Sequence, residues 1–329
     1  MRKKILLTKY VQNPDYDSAI RRDGLKRLDQ LAELQPYDGT LKVRDAKDVV
    51  GVIADAGPIQ DRFYENASDL RIISRWGVGY DNLNVELATK FGIMITIAPE
   101  HMESVAEYTI ALWMATLKRV DTLNRLAHTG DSSFVITYEA KGSTLGLYGF
   151  GRIGQAVAVR AKPLLGDDGK LLVYDVRPDI KQLADRFDAV CIDNPLTLFR
   201  DSDVVSLHVS GNETIVGDEQ LRVMKPHASL INPSRGGLVD DEAIHRAVRE
   251  DRVWSYVVDD PTDGPRKIHR NQPRIVCTNH NAGLTVQSAM RLDGRTIGQV
   301  HDALQGREPP HLLNPEVLDH PRVKAFLKD

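Results

Sequence analysis

Two residues set in glycine-bearing turns could carry chemistry. Arg235 lies in LINPSRGGLVDDEAI, just after an apolar strand-like run. A guanidinium there can bond a carboxylate bidentately and reach an adjacent carbonyl oxygen. His280 lies in TNHNAG, just after the apolar run RIVC. An imidazole is the side chain suited to giving and taking a proton near neutral pH. Each has a plainer reading when taken alone. An arginine before Gly-Gly is usually solvated, and most of the ten histidines must sit on the surface or cap helices. A third feature gives these two a context. In TLGLYGFGRIG, residues 144–154, Gly149, Gly151 and Gly154 follow the G-x-G-x-x-G spacing between an apolar strand-like run and a helix-like pattern. The first glycine makes a tight turn, the second lets amides approach a pyrophosphate, and the third lets helix and strand pack closely. Gly149, Phe150, Gly151, Arg152, Ile153 and Gly154 would then bind a dinucleotide, with its phosphates at a helix N-terminus. Asp175 ends the next apolar run, KLLVYD. It can accept hydrogen bonds from both adenosine ribose hydroxyls and would repel a 2′-phosphate, which favours NAD over NADP; the neighbouring Arg177 weakens that preference.

The elements that must position these residues alternate between strand and helix, which argues for parallel sheets joined by crossover helices. KKILLT, VVGVIA, RIISRW and GIMITI read as strands in the first hundred residues, with helix-like segments at 16–34 and 84–90. A second series follows: TLGLYG, KLLVYD, AVCI, DVVSLHV, ASLINP, RVWSYVV and RIVCTN. Long helical patterns at 101–119 and 285–305 flank that series. The rhythm is that of an α/β protein with two doubly wound, Rossmann-like units and a cleft between them, ligands binding beyond the carboxyl ends of the strands. Its 329 residues allow about two domains, each with a real core. A net charge of −3 gives no reason to expect nucleic acid or an anionic membrane as partner. Cys191 and Cys277 read as reduced, buried thiols, and no metal-ligand spacing is evident. No apolar stretch has the length of a membrane span. The N-terminal MRKKILLTKY reads as a first strand and not as a leader, so a cytoplasmic location is expected.

These segments carry a resemblance to the D-isomer-specific 2-hydroxyacid dehydrogenases. ISRWGVGYDNLNVELATKFGI at 73–93, the nucleotide turn at 144–158, LINPSRGGLVDDEAI at 230–244, TNHNAG at 278–283 and the tail LLNPEV follow family order and spacing. The resemblance implies NAD-dependent hydride transfer between a small 2-oxoacid and the D-2-hydroxyacid. Arg235 would grip and polarise the substrate and His280 would act as acid and base, while the cofactor carries the hydride. It also implies a discontinuous arrangement, with residues 1–99 plus 292–329 as the substrate domain and 100–291 as the NAD domain. The loop with Val78, Gly79 and Tyr80 would bind the substrate carboxylate through backbone amides; Trp76 and Tyr10 are further pocket candidates. His208, Pro233, Asp259 and Gly283 fall at family cofactor positions, Asp259 at the nicotinamide amide. Ser104 and Glu107 match the family's S-V-A-E at the start of a long helix.

The chain departs from the family at the carboxylate that pairs with the histidine. A glutamate before proline is usual, and Gly264 stands there, before Pro265. A slip of one residue would give the role to Asp263, with Asp260 as the alternative. The tryptophan usual in the dimer segment is also replaced, by Asp131-Ser132-Ser133-Phe134; a homodimer remains the expectation. Two other readings stay open: an NAD(H)-sensing binding protein of the corepressor kind, and a dehydrogenase of another small oxyanion such as phosphite.

Overall fold

The computed structural model describes residues 2–14 and 16–327 and divides into two compact units, Met1–His101 with Leu284–Asp329, and Met102–Gly283. The first unit holds β1 (Lys4–Thr8), β2 (Glu33–Tyr37), β3 (Val49–Ala54), β4 (Ile72–Arg75) and β5 (Met94–Ile97), all parallel, in the order β2-β1-β3-β4-β5. The inner strands are near-continuous apolar runs because both faces of the sheet are covered. Strand β2 was not expected. Its sequence, ELQPY, is half polar and contains proline, which an edge strand with one neighbour tolerates. The helix expected over 16–34 therefore runs only Ala19–Leu31, with Ser18 accepting from the Arg21 amide at its start. It yields to β2 where the Glu33 amide pairs with the Lys3 carbonyl.

The helix Val286–Leu304 packs whole on the helix Ala19–Leu31, so the first unit resumes at Leu284 where the sequence had suggested 292. Two buried polar side chains on it organise the sheet. Gln299 accepts from Ser74 and Thr96 and donates to the carbonyls of Ile97 and Pro310, using all its hydrogen-bonding capacity. Asp293 accepts from Trp76 Nε1 and the Tyr16 hydroxyl, each at 2.8 Å.

In the second unit β6 (Thr144–Tyr148), β7 (Lys170–Tyr174), β8 (Val190–Cys191), β9 (Val204–Leu207), β10 (Ser229–Asn232), β11 (Ser255–Val258) and β12 (Ile275–Cys277) form a parallel sheet ordered β12-β11-β10-β9-β6-β7-β8. All seven match apolar runs of the sequence. Side-chain alternation divides the core between two faces: Leu145, Leu147, Val173, Ile231 and Val257 on one, Leu172, Val205, Leu230, Tyr256 and Val258 on the other. The helices Met102–Leu117 and Arg152–Leu165 pack together on the first face, around Trp113. The order reverses between β6 and β9, the switch point at which such sheets bind ligands.

Burial pushes the Asp293 carboxyl up to about 6, against donation from Trp76 and Tyr16. The folded state then holds a proton that the unfolded chain releases near 3.8, so this stabilisation is full at low pH and is lost as pH rises through about 6. Urea unfolding of wild type and Asp293→Asn at pH 4.5 and 7.5 checks this. The wild type is expected to lose about 2 kcal/mol relative to the variant between those pH values, and parallel profiles would show the carboxyl to be unperturbed.

Candidate active site

The glycine-rich turn sits at the switch point. Gly149 follows β6 with φ +96°, and a Cβ there would collide with the His208 carbonyl at the end of β9. A Cβ on Gly154 would strike the Gly149 carbonyl, whereas one on Gly151 would point into open space. The first and third glycines thus close the turn, and the second leaves room beside the start of the helix Arg152–Leu165, which no described side chain caps. Unpaired amides of a first helical turn beside open space suit a pyrophosphate. Asp175, one residue past β7, accepts from the Phe150 amide at 2.6 Å and the Arg177 amide at 3.0 Å. It braces the turn from the position where a ribose would lie. The Arg177 guanidinium is paired with Asp179 through two bonds. His208 is held neutral, burial pushing its imidazole down to about 3. Its Nε2 meets the Ser206 hydroxyl at 2.9 Å, and its buried Nδ1 has no partner among the described residues.

Arg235, Asp260 and His280 come together because β10, β11 and β12 are adjacent, parallel and in register. Asn232 lies opposite Val258, Val258 opposite Cys277, and all three strands end there. The fully buried Asn232 shapes the turn beyond β10, with Nδ2 donating to the Arg235 carbonyl at 2.7 Å and Oδ1 accepting from the Ser234 amide at 3.1 Å. Pro233 is buried within this turn. The Arg235 backbone is extended, and one guanidinium nitrogen donates to the Ser234 carbonyl. Sequence reasoning gave Asn232 no role, although its spacing before the arginine was visible.

His280 has φ +55°, a left-handed backbone uncommon for a residue with a side chain. Asp259 imposes it. Its buried carboxylate accepts from the Thr278 hydroxyl at 2.5 Å and from the Asn281 and Ala282 amides at 2.9 and 2.7 Å, folding residues 278–282 around itself. Asp259 is thus committed to the histidine loop, where sequence reasoning had placed it against the cofactor. Ser104, from the helix Met102–Leu117, fixes the same loop by donating to the Ala282 carbonyl at 2.7 Å. Glu107 lies 3.9 Å from Arg160, a structural contact. Gly283 closes the loop at the boundary of the unit.

The carboxylate beside His280 is Asp260 and not Asp263. Asp260 Oδ1 lies 3.8 Å from His280 Nδ1, ion-pair range and too long for a hydrogen bond. Asp260 Oδ2 accepts from the Gly236 amide at 2.9 Å. Burial alone would push this carboxyl up, but His280, the Gly236 amide and Arg266 outweigh it and hold it below the usual carboxylate range. Asp263 is exposed and turns instead toward Arg266, at 3.3 Å. A turn at Pro261, whose carbonyl accepts the Asp263 amide, carries it away from the strand end. Sequence counting cannot detect that turn.

In the first unit, Gly77 has φ +135°, and Arg75 donates to the Gly79 carbonyl at 2.7 Å and the Trp76 carbonyl at 2.5 Å. This brace turns the carbonyls of the loop inward. Among the described residues, the Val78 and Gly79 amides have no acceptor within the chain. Tyr80 is exposed, and Trp76 is buried and stacked on Tyr10 at 5.2 Å.

Residues 110–282 match the family described as D-isomer specific 2-hydroxyacid dehydrogenase, NAD binding domain. The chain is 31% identical over 326 residues to a glyoxylate reductase of Thermococcus litoralis, covering 91% of this chain and 96% of that one. It is 35% identical to a glyoxylate reductase of Korarchaeum cryptofilum, covering 84% and 85%. Among solved structures, a glyoxylate reductase from Paecilomyes thermophila superposes with a TM-score of 0.82 at 23% identity, covering 96% and 99%, which bears on the fold.

The bonding of Asp259 has a measurable consequence. Asp259→Ala would leave two amides and a hydroxyl of the 278–282 loop without acceptors, at a cost on the order of 3 kcal/mol. Hydrogen exchange at Asn281 and Ala282 is expected to accelerate and turnover to fall. Unchanged protection of those two amides would refute the anchoring role.

Proposed function

The chain belongs to the D-isomer specific 2-hydroxyacid dehydrogenase family and is an NAD-dependent oxidoreductase of 2-oxoacids and D-2-hydroxyacids, and on that premise we propose how its residues divide the work. Arg235 holds the substrate carboxylate and polarises the neighbouring carbonyl through its planar fork of donors. His280 gives a proton to the new alkoxide in reduction and takes it back in oxidation. Asp260, facing Nδ1, fixes the ring so that Nε2 is the nitrogen that moves the proton. Bound NAD(H) supplies or accepts the hydride. The amides of the turn Gly149–Gly154 would hold its pyrophosphate and Asp175 its adenosine ribose, with His208 and Pro233 lining the same site. In the first unit, the Val78 and Gly79 amides and Tyr80 remain candidates for binding a carboxylate. The observation that carries this reading is the convergence of Arg235, Asp260 and His280 at the ends of three adjacent strands. The glyoxylate reductases among the relatives favour a substrate of two or three carbons.

NADH oxidation followed optically against glyoxylate, pyruvate, hydroxypyruvate, phenylpyruvate and 2-oxoglutarate tests the assignment. His280→Ala is expected to lose roughly 10²–10⁴-fold in turnover while still binding NADH, and Arg235→Ala to lose turnover and raise KM. Asp260→Asn is expected to slow the reaction, and Asp263→Asn to leave it unchanged. Full activity in His280→Ala would end this mechanism, and the reverse order of the two aspartate variants would return the role to Asp263.

The same proposal includes a cytoplasmic homodimer. No helix among the described residues is long and apolar enough to cross a membrane. Phe134 and Ile136 are almost wholly exposed, at 101% and 89%, on the irregular segment after the helix Val120–His128. Two large apolar side chains so exposed are expected to meet a partner copy. Light scattering is expected to give twice the chain mass for wild type and a monomer for the double variant Phe134→Asp, Ile136→Asp. An unchanged mass would remove this segment from the interface.

A further inference from the structure

We propose that Arg266 is a positioning residue for the reacting histidine, acting through Asp260 in place of the longer carboxylate that this site lacks. The inference rests on the reading that His280 moves the proton. Arg266 lies on the short helical turn Gly264–His269, and its side chain is only 13% exposed. Its Nε donates to the Pro261 carbonyl at 3.0 Å, and its terminal nitrogens lie 3.3 Å from Asp260 Oδ2, 3.3 Å from Asp263 Oδ1 and 3.8 Å from Asp241 Oδ2. A planar guanidinium spreads its donors over three nitrogens and can meet acceptors set apart from one another, whereas an ammonium offers its donors from a single nitrogen. Asp263 is exposed and adds little. Asp241 and Asp260 are the buried or half-buried partners, so Arg266 is the cation that neutralises both.

The back of this bracket is fixed. Asp241 is buried at the start of the helix Asp241–Arg249 and accepts from His269 Nε2 at 2.8 Å. His269 is itself buried, stacked on His245 and edge-on to Tyr256. The front of the bracket is Asp260. Its Oδ2 is occupied by Arg266 and the Gly236 amide, so Oδ1 is the oxygen left to face His280. A Cβ on Gly236 would collide with both Arg266 and Asp260, so only glycine after Arg235 lets the guanidinium and carboxylate reach the turn. The carboxylate thus has one rotational setting, and that setting fixes which ring nitrogen of His280 carries the inward proton. Aspartate reaches less far than glutamate. The strand end of β11 brings it close, and Arg266 stops it rotating away.

The test is a cycle of wild type, Arg266→Lys, Asp260→Asn and the double variant, assayed for kcat and KM with NADH and the best oxoacid. Lysine keeps the charge and the fold but cannot serve Asp260, Asp241 and Pro261 together. Arg266→Lys is expected to lower kcat about tenfold with little change in KM. The double variant is expected to be as slow as Asp260→Asn alone, because Arg266 has nothing left to position. ¹⁵N spectra of histidine-labelled protein, with the His280 signals assigned from His280→Gln, are expected to show one tautomer in wild type and a mixture in Arg266→Lys. Losses that multiply in the double variant, or an unchanged tautomer in Arg266→Lys, would overturn the proposal. Failure of the underlying reading would look different: His280→Gln and Asp260→Asn would then both retain full turnover.

Discussion

The site depends on one constraint, the parallel register of β10, β11 and β12. Asn232, Val258 and Cys277 stand level across these strands, so the turns that follow leave the sheet at the same height. Each turn then contributes to the site: Arg235 after the first, Asp259 and Asp260 after the second, His280 after the third. A shift of one residue in any strand would turn its side chains to the other face and move its contribution out of reach. The apolar alternation that fills the two faces of the core therefore also sets the geometry of the chemistry.

Polar bonding at those strand ends converts register into rigidity. Asn232 closes the arginine turn on itself, Asp259 folds the histidine loop, and the Gly236 amide joins the first turn to Asp260. The left-handed backbone at His280 is tolerated because the Asp259 carboxylate receives the amides of both following residues. Adjacent aspartates thus have opposite duties. Asp259 is buried and spent on structure, while Asp260 keeps one oxygen turned toward the histidine.

Two strands along the same sheet from β10, the glycine-rich turn after β6 shows how little side-chain chemistry such a turn needs. Gly149 and Gly154 are required because the positions of their missing Cβ atoms are filled by main chain, while Gly151 faces open space. His208 adds a neutral, buried ring beside the turn, and the low pKa that keeps it neutral is a consequence of desolvation. The turn presents amides at the start of the helix Arg152–Leu165, with one carboxylate, Asp175, beside them.

Much of this was legible in the sequence. The inner strands of both sheets announce themselves as apolar runs, and the glycine spacing, Arg235 and His280 stand in segments whose turn chemistry is local. Strand β2 was not legible, because an edge strand with one neighbour needs no continuous apolar pattern. The choice between Asp263 and Asp260 was not legible either, because counting along the chain assumes that it continues straight, and at Pro261 it turns. Arg266 looks like any other basic loop residue until Asp241 and Asp260, twenty-five and six positions away, are brought to either side of it. Local sequence determined which elements form and which residue types could do chemistry, since propensity, periodicity and turn preference act over a few residues. Tertiary structure alone decided which carboxylate faces the histidine and what holds it there, because those interactions join side chains that only the packing of separate strands and turns makes neighbours.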